Sequence, residues 1–182
     1  MLASRSPRRI ELLRRIGRDP IVDPADIDET VRVGESATDY VTRLSREKAT
    51  VVLARHPDAV VLGADTCVEL DGVVHGQPAD RDEARRTLRA LSGRTHNVHT
   101  AVTVATADRH ETILDTARVT FQPLSDQVLD WYLDTGEPFG KAGAYAVQGH
   151  GGVLVTRVQG LMSSVVGLPL GPLAGLLARF GV

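Results

Sequence analysis

An α/β fold with a mixed sheet is what this 182-residue sequence predicts, and three observations lead there. An apolar run, "AVVLGADTCVEL" from Ala59 to Leu70, has the length and branching of a buried strand and ends in the hairpin signal Asp71-Gly72. Two segments rich in valine and threonine, residues 95–107 and 111–122, flank a short polar turn and read as an antiparallel pair. Around these strands stand helical stripes with capping residues in front and glycine behind. Strands that pair both as hairpins and across helices make the sheet mixed.

At the start of the chain, Leu2-Ala3 is only the tail of a strand. Pro7 suits the first turn of a helix, where its missing N–H costs nothing. Ile10, Leu12, Leu13 and Ile16 continue that helix until Gly17 stops it. Residues 19–35 are polar and acidic and read as an irregular exposed segment. Ser36 with Asp39 has the form of a capping box, and the helix behind it runs to about Arg55, with Val41, Leu44, Lys48 and Val52 near one face. Beyond the long strand and its hairpin, Asp80 and Glu83 open a helix that ends at Ser92-Gly93. After the Val/Thr pair, Ser125 caps a helix ending near Gly136. The glycine-dense "GKAGAYAVQGHGG" comes next, then a strand from Val153 to Val158 and a last helix from Leu170 to Phe180. No repeat or linker interrupts the chain, so residues 1–182 read as one domain.

Composition removes several classes. The chain is 42% apolar and 24% charged, which is ordinary for a globular protein. A net charge of -2 argues against a broad electrostatic footprint for a nucleic acid polymer, though not against a local basic pocket. Cys67 is the single cysteine and cannot form an internal disulfide. The apolar runs are strand-length and interrupted, so no membrane-spanning helix is expected. With no signal peptide visible, the cytoplasm is the expected location. Of 21 basic residues only Lys48 and Lys141 are lysine. A compact ammonium is not interchangeable with a planar guanidinium, so both are candidates for a role that arginine cannot fill.

Three segments carry candidate chemistry. "SRSPRR" sits where a strand turns into a helix; unpaired N–H groups and the helix dipole favour an anion there, and Ser4, Arg8 and Arg9 add donors suited to phosphate. The plain alternative is that Ser6 caps the helix and the arginines are solvated. "GADT", Gly63 to Thr66, puts the Asp65 carboxylate inside an apolar strand, where it needs a donor partner, a metal or a catalytic reason. If phosphate binds, a divalent cation with oxygen ligands goes with it, and a nearby carboxylate can orient an attacking water. Asp28 and Glu29 are further acidic candidates. "GKAGAYAVQG" holds Lys141 among small residues that let backbone approach a ligand, and Gln148, whose amide reads both a donor and an acceptor on a base edge. It is neither a Walker sequence nor a dinucleotide fingerprint. His96 and His99, three apart on a strand, fall on opposite faces and read as structural.

Taken together, "LASRSPRRIELL", "RLSREKA", "VLGADTCVELDGVV", "LSGRTHNVHTAV", "GEPFGKAGAYAVQG" and "VVGLPL" resemble the Maf family of nucleoside triphosphate pyrophosphatases, colinearly over nearly the whole chain. The resemblance implies an elongated α/β fold like that of inosine triphosphate pyrophosphatases, with two lobes around a cleft. It implies hydrolysis of a nucleoside triphosphate between the α and β phosphates with a divalent cation, Mg²⁺ or Mn²⁺. It also implies a homodimer and a historical link to inhibition of septum formation. By motif, Asp65 matches the family's proton acceptor and Glu29 an acidic site position; these two carboxylates are the expected metal ligands. Ser4, Arg8 and Arg9 match the phosphate-side loop, and Lys48 and Lys141 the family lysines. Arg8, Thr66 and Gln148 match the pattern of the dTTP/UTP type, which makes pyrimidine triphosphates the expected substrates.

Three departures accompany the match. Gln77-Pro78 stands where Lys-Pro is usual, Gly140 stands where an aspartate usually precedes the late lysine, and the first strand is cut short. The first two keep an alternative in view: a nucleotide-binding regulator of cell division with weak or no catalysis. The mechanism the residues favour is one-step hydrolysis by a water that Asp65 deprotonates.

Overall fold

The computed structural model describes all 182 residues. Three of the helices begin at capping residues that the sequence supplies. Helix α1 spans Pro7–Arg15 and ends at Gly17, whose φ of 75° only glycine adopts cheaply. Helix α2 spans Ala37–Arg55, and Ser36 Oγ accepts the Asp39 N–H at 3.1 Å. Helix α3 spans Arg81–Leu91; Asp80 accepts the Glu83 N–H at 2.8 Å while the Glu83 carboxylate accepts the Ala79 N–H at 2.8 Å. Helix α4 spans Asp126–Asp134 behind Ser125. A five-residue helix α5, Met162–Val166, carries no capping signal in the sequence and was not expected; α6 comes next at Leu170–Arg179. No helix is long and apolar enough to cross a membrane.

Five strands form one sheet: β1 Val61–Leu70, β2 Val73–His75, β3 Thr95–Ala105, β4 His110–Phe121 and β5 Val155–Gln159, in the order β2-β1-β3-β4-β5. The β1–β2 pair is antiparallel and turns at Asp71 and Gly72, both at positive φ as a two-residue hairpin requires. Cross-strand bonds Thr95–Thr120, His99–Thr116 and Thr103–Thr112 at 2.8–2.9 Å keep β3 and β4 in one antiparallel register. Thr66–Thr100 at 2.9 Å and Asn97–Glu69 at 2.7 Å do the same for β1 and β3. β4 and β5 are antiparallel with a bulge at Thr120/Phe121. The parallel component of the expected mixed sheet comes down to single bridges from Leu2 to Val22 and Leu62, since only one residue of the short first strand reaches pairing position.

The chain divides into two compact units. The first comprises Met1–Thr66, Thr100–Asp115 and Gly167–Val182, and the second Cys67–His99 and Thr116–Val166. Ala3, Ala25, Ala49, Val52, Val61 and Ala105 form a core cluster in the first. In the second, Leu88, Leu91, Phe121, Leu129, Tyr132 and Leu154 are among the buried residues. There α3 and α4 are laced by Arg81–Asp134, Arg85–Asp130 and Arg89–Asp126, one pair per helical turn of an antiparallel crossing.

Within the first unit, helix and sheet approach closely at Gly63. A Cβ on this residue would lie 2.2 Å from the Ser45 carbonyl oxygen and 2.7 Å from the Ala49 nitrogen. Glycine at this position therefore lets the backbone of α2 rest directly on β1. Lys48 lies between those two α2 residues in sequence, and Asp65 lies two residues along β1 from Gly63, on the same face.

Candidate active site

Asp65 is 6% exposed, and its Oδ1 accepts a hydrogen bond from Lys48 Nζ at 2.6 Å. Lys48 is itself buried, and the same ammonium pairs with Glu29 Oε1 at 2.7 Å. One lysine from α2 thus gathers a strand acid and a loop acid. Burial raises the Asp65 pKa, and the charges of Lys48 and Arg9 oppose that rise without cancelling it. A carboxylate so placed is a better proton acceptor than an exposed one. Losing Lys48 would leave the buried Asp65 charge without its hydrogen-bonded partner, a kind of change that costs about 3–5 kcal/mol where measured in other proteins. Without Asp65 the ammonium still pairs with Glu29.

Arg9 is the second cation near this acid. It is 8% exposed, and four of the five N–H groups of its guanidinium go to protein oxygens. Nε donates to the Gly167 carbonyl at 3.2 Å, Nη1 to Ser4 Oγ at 3.2 Å and the Ala64 carbonyl at 2.8 Å, and Nη2 to Thr66 Oγ1 at 3.2 Å. Burial lowers its pKa, opposed by Asp65 and Glu29. Arg9 therefore ties α1 to β1 and to the chain before α6. Ser4 Oγ also accepts the Ser6 N–H at 3.2 Å, shaping the turn, and the Ser6 side chain makes no cap bond to α1. Ser6 thus stands at the N-cap by its backbone alone, and Arg9, which the plain alternative leaves solvated, is buried. Arg8 is half-buried on the first turn of the same helix.

The loop that carries Glu29 is held by α2. Tyr40 Oη donates to the Glu29 carbonyl at 2.9 Å and Arg43 Nη2 to the Thr30 carbonyl at 3.1 Å. Arg43 also grips Glu35 in a fork at 2.6 and 2.8 Å, which holds the Glu35 carboxyl down at about 2. Asp28 turns the loop by accepting from Thr30 and does not join Asp65. Gly63 opens "GADT" and Arg43 opens "RLSREKA", but the sequence assigned neither a role of its own, and Tyr40 lies outside every quoted motif.

In the first unit Ser4 and Thr66 thus meet on Arg9, and Glu29 and Asp65 meet on Lys48, the two sets being neighbours along β1 through Asp65 and Thr66. Thr66 is engaged twice, with Arg9 and with Thr100 Oγ1. Lys141 and Gln148 belong to the second unit. Lys141 Nζ donates to the Phe139 carbonyl at 3.2 Å, and Gln148 is exposed. The small residues between them answer a packing need. A Cβ on Gly143 would lie 2.5 Å from the Val68 side chain, and Ala144 is wholly buried.

Two converging carboxylates are a hard-oxygen donor set. Magnesium-like cations are commonly held by one or two carboxylates, with substrate phosphates and waters completing the shell. No group of three or more His, Cys, Asp or Glu residues stands together as a protein cage. The pair Asp65 and Glu29 therefore fits a cation that arrives with a polyphosphate.

The family described as "Maf-like protein" matches residues 1–180. A dTTP/UTP pyrophosphatase of Myxococcus xanthus is 54% identical over 183 residues, covering 100% of this chain and 92% of its own. One from Methylobacillus flagellatus is 51% identical with the same coverage, and one from Bacillus velezensis is 46% identical, covering 100% and 96%.

Proposed function

This chain belongs to the Maf family, and on that footing we propose that it hydrolyses dTTP, UTP and related pyrimidine triphosphates to the monophosphate and pyrophosphate. The observation that carries the reading is the buried Asp65 on the ammonium of Lys48, with Glu29 on the same cation and Arg9 beside it. The reading takes residues 1–182 as one functional domain, cytoplasmic and homodimeric; molar mass in solution checks the dimer.

Lys48 holds Asp65 Oδ1, leaving Oδ2 to take a proton from the attacking water. The water oxygen forms a bond to the α phosphorus as the bond from that phosphorus to the α–β bridging oxygen breaks, and pyrophosphate leaves with the electron pair. Asp65 and Glu29 would hold the divalent cation, Mg²⁺ or Mn²⁺, which when bound neutralises charge on the phosphate oxygens. Ser4 and Arg8 meet the phosphates at the start of α1, Arg9 fixes that turn and keeps one N–H for an oxygen, and Lys141 answers the charge growing on pyrophosphate. Gln148 reads the base edge. Thr66 supports base choice through its bond to Arg9.

Pyrophosphate release from a panel of triphosphates, with Mg²⁺ and with Mn²⁺, tests the reading. dTTP and UTP should lead the panel; no release from any triphosphate would overturn it in favour of a nucleotide-binding regulator. Asp65→Asn should abolish turnover and keep the fold and nucleotide binding. Turnover at the wild-type rate in that variant would remove Asp65 from the mechanism.

A further inference from the structure

Gln148 can read a base edge dependably only if its backbone is held in place. Its amide carries an acceptor and a donor side by side, and each must meet the base at hydrogen-bonding distance and angle. A backbone displaced by an ångström spoils that geometry, whichever way the amide is turned. Telling UTP from CTP therefore needs a rigid support beneath the side chain.

That support is visible in the second unit. Glu137, just beyond α4, is 17% exposed, and its carboxylate collects three donors. Oε1 accepts the His150 N–H at 3.0 Å, and Oε2 accepts the Gly151 N–H at 2.7 Å and the Tyr132 hydroxyl at 2.9 Å. The oxygen of that fully buried tyrosine in turn accepts the Ala146 N–H at 3.1 Å. Gly149 passes so close that a Cβ there would sit 1.8 Å from Glu137 Oε1. Gly149 N–H closes a turn on the Ala146 carbonyl at 3.1 Å. Residues 146, 149, 150 and 151 are thus pinned on both sides of Gln148, while Val147 packs against the core and Gln148 stays exposed.

We infer that Glu137, acting with Tyr132, is a positioning residue for pyrimidine selection: it fixes the 146–151 turn so that the Gln148 side chain starts from one place and reaches the base edge at a set distance and angle. The inference rests on the reading of Gln148 as the base reader. A carboxylate suits the task because every group it meets is a donor; an amide of the same shape would turn N–H toward N–H. Burial works against the charge, yet the three donors outweigh it and hold the Glu137 pKa below the ordinary value.

The test is the ratio of kcat/KM for UTP to that for CTP in the full chain, with thermal unfolding as a check on folding. Glu137→Gln and Tyr132→Phe should each lower the ratio about tenfold, the size expected from a misplaced recognition group. Combining Glu137→Gln with Gln148→Ala should lower it no further than Gln148→Ala alone. A purely structural role would instead add to the Gln148 effect. Tyr132→Phe keeps the buried ring and carries the test if Glu137→Gln does not fold. A ratio preserved in both support variants but lost in Gln148→Ala overturns this inference alone. A wild type indifferent to UTP and CTP, or a Gln148→Ala variant that keeps the ratio, overturns the base reading and this inference with it.

Discussion

Asp65 is an acid whose proton affinity is set by opposing neighbours. Burial raises its pKa, and the positive charges of Lys48 and Arg9 pull it down. Removing the Lys48 charge leaves burial less opposed, so the folded-state pKa must climb. For a base that works deprotonated, the acid limb of kcat/KM then moves to higher pH. Lys48→Met is expected to shift that limb upward, whatever it does to the height of the profile. A limb that stays in place or moves down would mean that another group governs it. Lysine scarcity in the sequence singles out Lys48 before any geometry is known, and its placement between two acids gives the reason: a single ammonium donates to both, where a guanidinium would need a wider gap.

Among the elements, α2 and β1 matter most, because the site depends on how closely one lies on the other. The Ser45 carbonyl and the Ala49 nitrogen occupy the space that a side chain at position 63 would fill. These are backbone atoms of a helix, so they cannot swing aside as a long side chain does. Gly63→Ala should push α2 off the strand and cost about 3 kcal/mol, the upper range for overpacking, with a loss of turnover because Lys48 moves with its helix. Urea unfolding and the triphosphate assay read the two effects. Stability equal to that of the wild type would show that the helix has room to shift. The same helix sends Tyr40 and Arg43 to the Glu29 loop, so one element both carries Lys48 and holds the loop of its second acid.

For the molecule as a whole, acid sensitivity has an identifiable source away from Asp65. His96 is 2% exposed, its Nε2 pairs with the Tyr145 hydroxyl at 2.9 Å, and its ring meets Phe121 and Tyr145 edge to face. Burial pushes its pKa down from 6.5 to about 4. The unfolded chain takes up a proton near the ordinary value while the folded chain resists it. Stability is therefore full above about 6.5 and declines as pH falls toward 4, by on the order of 3 kcal/mol from this group. Urea midpoints measured between pH 7.5 and 4.5 should fall in the wild type and fall less in His96→Gln. Equal slopes would place the acid sensitivity elsewhere.

Residue order was enough to set the local elements: caps at Ser36, Asp80 and Ser125, the hairpin at Asp71-Gly72, and the buried run that holds Asp65. These depend on hydrogen bonds and side-chain periodicity within a few residues, which a linear reading captures. Lysine scarcity also marked Lys48, and acidic character marked Glu29, but nothing in the residue order joined the two. Packing in three dimensions was needed to show that both acids share one ammonium, that Arg9 spends most of its donors on the protein, and that Glu137 collects the turn around Gln148. Such outcomes turn on distances of an ångström or less between segments far apart in the chain. No periodicity records them, because they are set by how closely one backbone can rest on another.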